Sequence, residues 1–256
     1  MKVGILAGGL GTRFAEATKH KPKALIEIGG KPIIWHVMKH YEHFGFSEFV
    51  IATGYRKEEL IRYFIDYHRT SSSVSVALKT GAVTTHADGD TDWLVHLIDT
   101  GPTTMTGGRI KRLAPFMGNE TFMLTWCDGL ADVDIDRLLA FHRSHGKLAT
   151  ITAVRPPGRF GYLTIDGDSV TGFDEKPDHV DQWINGAFFV LEPGVFDYID
   201  GDETMWEREP MRRLTEAGQV MVYRHHSFWQ CMDNPREQEM LEKIWATGKA
   251  PWKSWE

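Results

Sequence analysis

The sequence predicts an α/β fold in which a doubly wound, mostly parallel sheet is followed by a β-rich region. Three observations carry this prediction. Apolar strand patterns alternate with amphipathic helix patterns, a glycine-rich turn directly follows the first strand, and hairpin-like alternation begins after about residue 155. No repeat or low-complexity tract interrupts the chain. We therefore expect the 256 residues to form one unit, with a core at about 1–155 and a second region at about 156–256 that ends in a helix.

The core region alternates strands and helices in regular order. It opens with an apolar strand at Lys2–Ala7, and Pro32 suits the first turn of a helix over Pro32–Phe44 because proline lacks only an N–H that would be unpaired there. Asp134 is a suitable N-cap for a later helix. The remaining predicted elements are strands at Glu48–Thr53, Val74–Lys79, Leu94–Asp99, Thr121–Trp126 and Leu148–Val154, and helices at Lys57–Tyr67, Gly108–Met117 and Asp134–His145.

The second region is richer in turns. Pro156-Pro157-Gly158 marks a turn, after which Gly161–Ile165 and Val170–Asp174 alternate as the two strands of a hairpin. The other predicted elements are a strand at Ile184–Leu191, a helix at Met205–Ala217, a last strand at Val220–Arg224 and a helix at Asn234–Thr247.

Charge is distributed unevenly along the chain. The net charge is −6, but residues 1–40 hold seven lysines and arginines against two glutamates, a net +5, which leaves −11 for the remainder. An acidic chain is a poor candidate for general nucleic-acid binding, which usually requires a basic face. A basic opening segment on an acidic body indicates instead a small, highly charged anion that is held locally.

The two cysteines, Cys127 and Cys231, are too few for a disulfide framework or a four-cysteine zinc site. A reducing compartment fits this usage. The apolar run at the start is short for a signal peptide, and no stretch approaches the roughly 20 apolar residues of a membrane span. We therefore expect a cytoplasmic protein.

A glycine-rich loop, Gly8-Gly9-Leu10-Gly11-Thr12-Arg13, follows the first strand. Consecutive backbone N–H groups in such a turn form an anion-binding nest. The loop is neither a dinucleotide fingerprint, which requires glycine where Phe14 stands, nor a P-loop, which requires Gly-Lys-Ser/Thr. A plain strand–helix turn is the alternative interpretation.

The basic segment Lys21-Pro22-Lys23 follows ten residues later. A solvated basic loop would explain such a pair. Because the segment is close to the glycine loop in sequence, Arg13 and Lys23 are candidates to neutralise a triphosphate through charge-assisted hydrogen bonds.

These segments resemble the sugar-1-phosphate nucleotidyltransferases, and over essentially the whole chain the branch that uses CTP and glucose 1-phosphate. The glycine loop alone indicates only the superfamily, whereas later segments are more specific. The matching segments are residues 6–13, 21–23, 28–33, 99–101, 105–109, 156–161, 175–177, 184–186, 228–230 and 248–253.

The resemblance implies a Rossmann-like nucleotidyltransferase fold with a β-rich substrate-binding insertion. It implies transfer of CMP from CTP to α-D-glucose 1-phosphate, giving CDP-glucose and pyrophosphate, with the nucleotide on the core and the sugar phosphate on the second region. Arg13 and Lys23 are the expected catalytic residues. The expected substrate-binding residues are Leu6, Ala7, Gly8, Gly9, Leu10, Gly11, Thr12, Arg13, Lys23, Thr104, Arg109, Cys127, Lys176 and Asn185.

Phosphoryl-type transfer usually requires Mg²⁺, which prefers one or two carboxylates. Asp128 follows an apolar strand, at the position where α/β proteins bind ligands. The resemblance implies that Asp128 and Asp233 hold one Mg²⁺, although each also suits a turn or helix cap. Cys127 and Cys231 depart from the family's usual glycine and proline near these aspartates, and Ala24 departs from a frequent second proline.

Other interpretations remain open at this point. The reaction could involve another nucleotide or sugar phosphate, or the chain could be a non-catalytic sugar-nucleotide-binding module; Phe14 disfavours a dinucleotide oxidoreductase. Lys176 could form a surface ion pair with Glu175. His36 and His40 have a zinc-compatible spacing but no evident third ligand. The resemblance suggests a homo-oligomer, for which a hexamer is one candidate.

Overall fold

The computed structural model describes residues 1–11, 14, 18, 21–86, 91–156, 161–175 and 182–255, with backbone only at 161–165 and 173–175. The helices are α1 (Ile33–His43), α2 (Lys57–Thr70), α3 (Thr106–Met117), α4 (Ile135–His145), α5 (Glu209–Glu216) and α6 (Pro235–Ala246). The first strands are β1 (Val3–Leu6), β2 (Glu27–Ile28), β3 (Lys31–Pro32), β4 (Glu48–Thr53), β5 (Val74–Ala77), β6 (Ala82–Thr85), β7 (Leu94–Asp99) and β8 (Phe122–Trp126). The later strands are β9 (Gly129–Ala131), β10 (Ala149–Val154), β11 (Gly161–Asp166), β12 (Ser169–Glu175), β13 (Ile184–Leu191), β14 (Val220–Arg224) and β15 (Trp229–Cys231).

Seven strands form the central sheet in the order β14-β10-β13-β8-β1-β4-β7. Neighbouring strands are parallel except where β13 lies antiparallel to both β10 and β8. The predicted doubly wound, mostly parallel α/β fold is therefore confirmed. Strands β13 and β14, which come from the later part of the chain, extend the same sheet.

The sheet is covered on both faces because its strands are apolar at successive positions. In β4, Phe49 and Ile51 pack into one buried cluster with α1 and α4, whereas Val50 and Ala52 pack into a second cluster with α3. A strand that is buried on both sides is expected to be continuously apolar, since alternate side chains point to opposite faces. This burial fixes the sheet as the rigid base of the loops that follow it.

The carboxyl ends of four parallel strands meet at one edge of this sheet. Val3 of β1 aligns with Phe49 of β4 and with Met123 of β8, so these strands finish at the same level. The glycine-rich loop leaves β1 there, and Cys127 leaves β8 beside it, with its N–H donating to the Leu6 carbonyl. Ligands of α/β proteins bind at such edges.

Most of the predicted elements are confirmed within one to three residues. Asp134 caps α4 by accepting from the Arg137 N–H, and the predicted hairpin over 161–175 forms from β11 and β12. The helix predicted at Met205–Ala217 is wrong in its first half, since α5 begins only at Glu209 and carries Pro210 in its first turn. Proline suits that position and not the middle of a longer helix.

Short strand pairings were not predicted from the sequence. The predicted strand after Ser73 ends at Ala77 and turns into β6, so residues 74–85 form a hairpin. Val220–Arg224 is not the last strand, because β15 follows and pairs antiparallel with β9. None of the helices in the described ranges combines the length and apolarity that a membrane span requires.

Candidate active site

A cavity of about 620 Å³ opens at the carboxyl-end edge of the sheet. This volume lies within the usual range for small-molecule sites. Most of the residues predicted to bind the nucleotide meet here, although they are far apart in sequence. The lining residues are Leu6, Ala7, Gly8, Gly9, Leu10, Gly11, Lys23, Pro102, Thr103, Thr104, Met105, Thr106, Arg109, Trp126, Cys127 and Asp128.

The ammonium of Lys23 joins the two aspartates that were predicted as metal ligands. Its Nζ donates to Asp128 Oδ2 at 2.5 Å and to Asp233 Oδ1 at 2.6 Å. Burial lowers the pKa of Lys23, but the charge of Asp128 and the hydrogen bonds to Asp128 and Asp233 raise it by more, so the net shift of the pKa is upward. Lys23 therefore stays charged at neutral pH, and Asp128 and Asp233 share one cation.

Backbone pairing brings these three residues together. Lys23 begins a single turn of 3₁₀ helix (Lys23–Leu25) directly after Pro22. Asp128 lies in the turn between β8 and β9, and β15 pairs with β9 so that Cys231 stands opposite Gly129. The Met232 N–H then donates to the Asp128 carbonyl. Asp233 consequently lies beside Asp128, although 105 residues separate them.

Arg109 lines the cavity, but its guanidinium is engaged with the protein. Nη1 donates to the carbonyls of Thr53 and Gly101 and to the Thr100 hydroxyl, at 2.6–3.2 Å. These acceptors follow or end β4 and β7. Burial lowers the pKa of Arg109, and nearby Arg112 contributes to the decrease. The side chain therefore holds the strand ends in place, which is a positioning role, and its expected contact with the substrate stays a prediction.

Two glycines make room for this arginine. A Cβ atom at Gly8 or at Gly54 would collide with the Arg109 guanidinium. Gly11 lies in the left-handed region, with φ of 61°, which glycine adopts without strain. No heavy atom approaches the corresponding position at Gly9. The glycine loop thus combines one glycine required for packing, one required for backbone conformation and one that leaves open space toward the cavity.

Cys127 is buried at the back of the site. Burial, with the neighbouring Asp128 carboxylate, raises the pKa of its thiol to about 12. Since a thiol is a nucleophile only as thiolate, Cys127 is inert at neutral pH. It contributes volume to the cavity wall beside Trp126, whose ring stacks on Phe189.

Other predicted residues lie elsewhere. Thr12, Arg13 and Lys176 fall outside the described residues. Asn185 is exposed on β13, is not among the residues that line the cavity, and accepts a hydrogen bond from the Ala187 N–H. His36 and His40 bond to the carbonyls of Ile28 and Val133, which is the ordinary structural use of buried histidines.

Part of the cavity wall was not predicted from the sequence. Pro102 and Thr103 follow β7, and Trp126 ends β8. Their position after or at the end of core strands was the available signal, because the carboxyl ends of parallel strands meet at one edge. Nothing local in the sequence shows that these two strands, which lie on opposite sides of β1, finish at the same edge of the sheet.

Comparison with known proteins identifies the family. The model of the family described as "Nucleotidyl transferase" matches residues 2–245. The chain belongs to the nucleotidyl transferase family. It is 48% identical to the glucose-1-phosphate cytidylyltransferase of Salmonella typhi and 41% identical to the probable glucose-1-phosphate cytidylyltransferase of Bacillus subtilis, with all of each chain covered.

Structural similarity agrees with this family assignment at the level of the fold. HddC from Yersinia pseudotuberculosis superimposes with a TM-score of 0.70 at 21% identity, over 95% of this chain and 99% of that one. The fold of this neighbour therefore extends across nearly the whole chain. The chain is an enzyme of the nucleotidyltransferase class.

Proposed function

We propose that this nucleotidyltransferase transfers CMP from CTP to α-D-glucose 1-phosphate and releases pyrophosphate. The main structural support for this reaction is the hydrogen bonding of Lys23 to both Asp128 and Asp233 beside a glycine-lined cavity. Full-length identity with two cytidylyltransferases supports CTP and glucose 1-phosphate as the substrates. The region at about 1–155 would hold the nucleotide, and the region at about 156–256 would supply contacts to the sugar phosphate.

The donor set fits a magnesium ion. Asp128 and Asp233 already direct one oxygen each toward a single cation, the Lys23 ammonium. Two carboxylates are what Mg²⁺ takes from a protein, because its other positions are filled by water and phosphate oxygens. When bound, Mg²⁺ would neutralise charge on the reacting phosphates.

The residues of this chain then act by positioning and electrostatics. A phosphate oxygen of glucose 1-phosphate attacks the α-phosphorus of CTP in line, and the bond from that phosphorus to the bridging oxygen of pyrophosphate breaks. Because the nucleophile is already an anion, no side chain has to remove a proton. Backbone N–H groups of Gly8, Gly9 and Gly11, with Thr12, would hold the nucleotide, while Lys23 and Arg13 would balance the charge of the leaving pyrophosphate.

Selectivity rests on the walls of the cavity. Thr104 and Cys127 line the space that would receive the nucleotide, and Arg109 holds the strand ends that shape it. For the sugar phosphate, Lys176 and Asn185 are the proposed contacts. Asn185 is exposed on β13.

A homo-oligomer is part of this proposal. The β5–β6 hairpin projects four large apolar side chains into solvent, of which Leu78 is 92% exposed. An isolated two-stranded hairpin is marginally stable in water, so this one gains stability when a second copy of the chain covers it. We place the enzyme in the cytoplasm because Cys127 and Cys231 are both thiols, which a reducing compartment maintains.

One assay tests the reaction. Pyrophosphate release is measured with each of the four common NTPs against a panel of sugar 1-phosphates, in Mg²⁺. CTP with glucose 1-phosphate should be the best pair. Release with another pair would reassign the substrates, and no release with any pair would favour a non-catalytic binding module.

A further inference from the structure

A second cluster of metal-ligating atoms adjoins the active site and shares Asp233 with it. Cys231, at the end of β15, and Glu237, in the first turn of α6, flank Asp233. The Cys231 Sγ and one oxygen from each carboxylate all lie within 4.8 Å of one another. The three residues occupy positions 231, 233 and 237, so a single strand-to-helix connection supplies all of them.

The two oxygens of Asp233 face different partners. Oδ1 accepts from the Lys23 ammonium at 2.6 Å, whereas Oδ2 lies 4.0 Å from the Cys231 Sγ. A carboxylate with this orientation is able to bridge two cation positions. One is the position that Lys23 shares with Asp128, and the other is bounded by Cys231 and Glu237.

The geometry of the second position suits a tetrahedral ion. A zinc ion with bonds of about 2.3 Å to sulfur and about 2.0–2.2 Å to carboxylate oxygen separates these ligand atoms by roughly 3.5 Å. The observed 4.0 Å between Sγ and Oδ2 is therefore half an ångström from the required spacing. Three protein ligands leave a fourth position for water or a phosphate oxygen.

The local backbone holds these ligands in place. The Glu237 Oε2 accepts from the Asp233 N–H at 2.6 Å, and the Asn234 side chain caps α6 by accepting from the Glu237 N–H at 3.1 Å. Glu237 is itself buried. A site that is already ordered loses little conformational entropy when it binds an ion.

We propose that Cys231, Asp233 and Glu237 bind a thiophilic divalent cation of the zinc or cobalt class. A thiolate beside two carboxylates selects such ions, whereas Mg²⁺ prefers oxygen ligands alone. On binding, the thiol transfers its proton to solvent. This site is distinct from the magnesium position proposed at Asp128 and Asp233, and Asp233 is common to both.

The consequence is inhibition by thiophilic metals, and this consequence rests on the proposed function. An ion bound by Cys231 and Glu237 pulls the Asp233 carboxylate toward itself. It thereby moves Asp233 away from the position beside Asp128 that the proposed magnesium ion requires. The metal site itself does not depend on the reaction.

Cobalt spectroscopy tests the site directly. Co²⁺ is titrated into the metal-free wild-type protein, Cys231→Ser and Cys127→Ser, and the ultraviolet cobalt–thiolate charge-transfer band is recorded. The intensity of the band should saturate at one equivalent of Co²⁺ in the wild type and in Cys127→Ser. The band should be absent from Cys231→Ser. Its absence from folded wild-type protein, or its retention in Cys231→Ser, would overturn the proposal.

A second measurement separates ligation from folding. Glu237→Gln keeps an oxygen acceptor for the Asp233 N–H but removes the charge, so its thermal unfolding should match the wild type. Its Zn²⁺ affinity in equilibrium dialysis should fall at least about tenfold; an unchanged affinity would remove Glu237 from the site.

Inhibition by zinc tests the proposed consequence. In excess Mg²⁺, Zn²⁺ should inhibit pyrophosphate release by the wild-type enzyme but should not inhibit the Cys231→Ser variant. Equal inhibition of both would contradict the proposed consequence.

Discussion

The guanidinium of Arg109 occupies the space that a side chain at Gly8 would need. The first glycine of the loop is thus required by an arginine on α3, and only indirectly by a ligand. Arg109 in turn bonds to the end of β4 and to the segment after β7, so this side chain links the glycine loop to two further strands. This relationship makes position 8 a sensitive probe of the site.

Gly8→Ala should destabilise the protein and reduce turnover together. Overpacking of this kind costs about 1–3 kcal/mol in the free energy of unfolding. Gly9→Ala is the matched control for stability, because no heavy atom lies within 4 Å of its added Cβ. Urea unfolding of both variants checks this, and equal midpoints would contradict the packing role of Gly8.

Lys23→Ala should lower pyrophosphate release by about 10²–10³-fold, which is typical for removing one preorganised charge-stabilising group. The matched control is Lys21→Ala, since Lys21 is exposed and pairs with Glu27 on the surface. The control should retain nearly wild-type rates. A similar loss in both variants would mean that the whole basic segment acts non-specifically.

Asp128→Asn should abolish turnover without unfolding the protein. The amide keeps the shape of the side chain but removes half of the carboxylate pair that is proposed to hold Mg²⁺. Binding of Mn²⁺, followed by electron paramagnetic resonance, should weaken in parallel. Asp136→Asn, on the exposed face of α4, is the control. Near-normal pyrophosphate release by Asp128→Asn would eliminate the metal assignment.

The stability of the fold should fall between pH 7.5 and pH 5. Burial lowers the pKa of His36 and His40 from 6.5 to about 4, so over this range the unfolded chain binds protons that the folded chain does not. The stabilisation that folding gains from keeping these histidines neutral is complete above pH 6.5. It declines as the pH falls and is lost below about pH 4. At pH 5 the stability lost amounts to about 2 kcal/mol for each histidine.

Removing one of these histidines should flatten the pH profile. Urea unfolding of His40→Gln is compared with that of His43→Gln, which changes an exposed histidine on the same helix. His40→Gln should lose less stability than the wild type between pH 7.5 and 5, whereas His43→Gln should follow the wild type. A slope for His40→Gln equal to that of the wild type would contradict the assignment.

Charging the hairpin should dissociate the oligomer. Val76→Lys combined with Leu78→Lys places two ammonium groups on its exposed apolar surface, and sedimentation velocity should then detect smaller particles than in the wild type. Thr80→Lys, in the exposed hairpin turn, adds a charge outside that apolar surface and is the control. Unchanged sedimentation of the double variant would exclude the hairpin as the contact between copies.

Sequence alone determined the elements whose cause is local. Apolar runs such as β4 and β8 and the cap at Asp134 are local signals, and the structure confirms each of them. Strands of three residues, such as β9 and β15, carry too few positions to establish a periodicity, and they were missed.

Only the tertiary structure decided which of these residues meet. The pairing of β15 with β9 depends on the whole sheet being assembled, and it brings Asp233 to Asp128. The role of Arg109 likewise follows from strand ends that are distant in sequence. Sequence records the local preferences of each segment, whereas a site made from several strand ends depends on long-range packing that no short window contains.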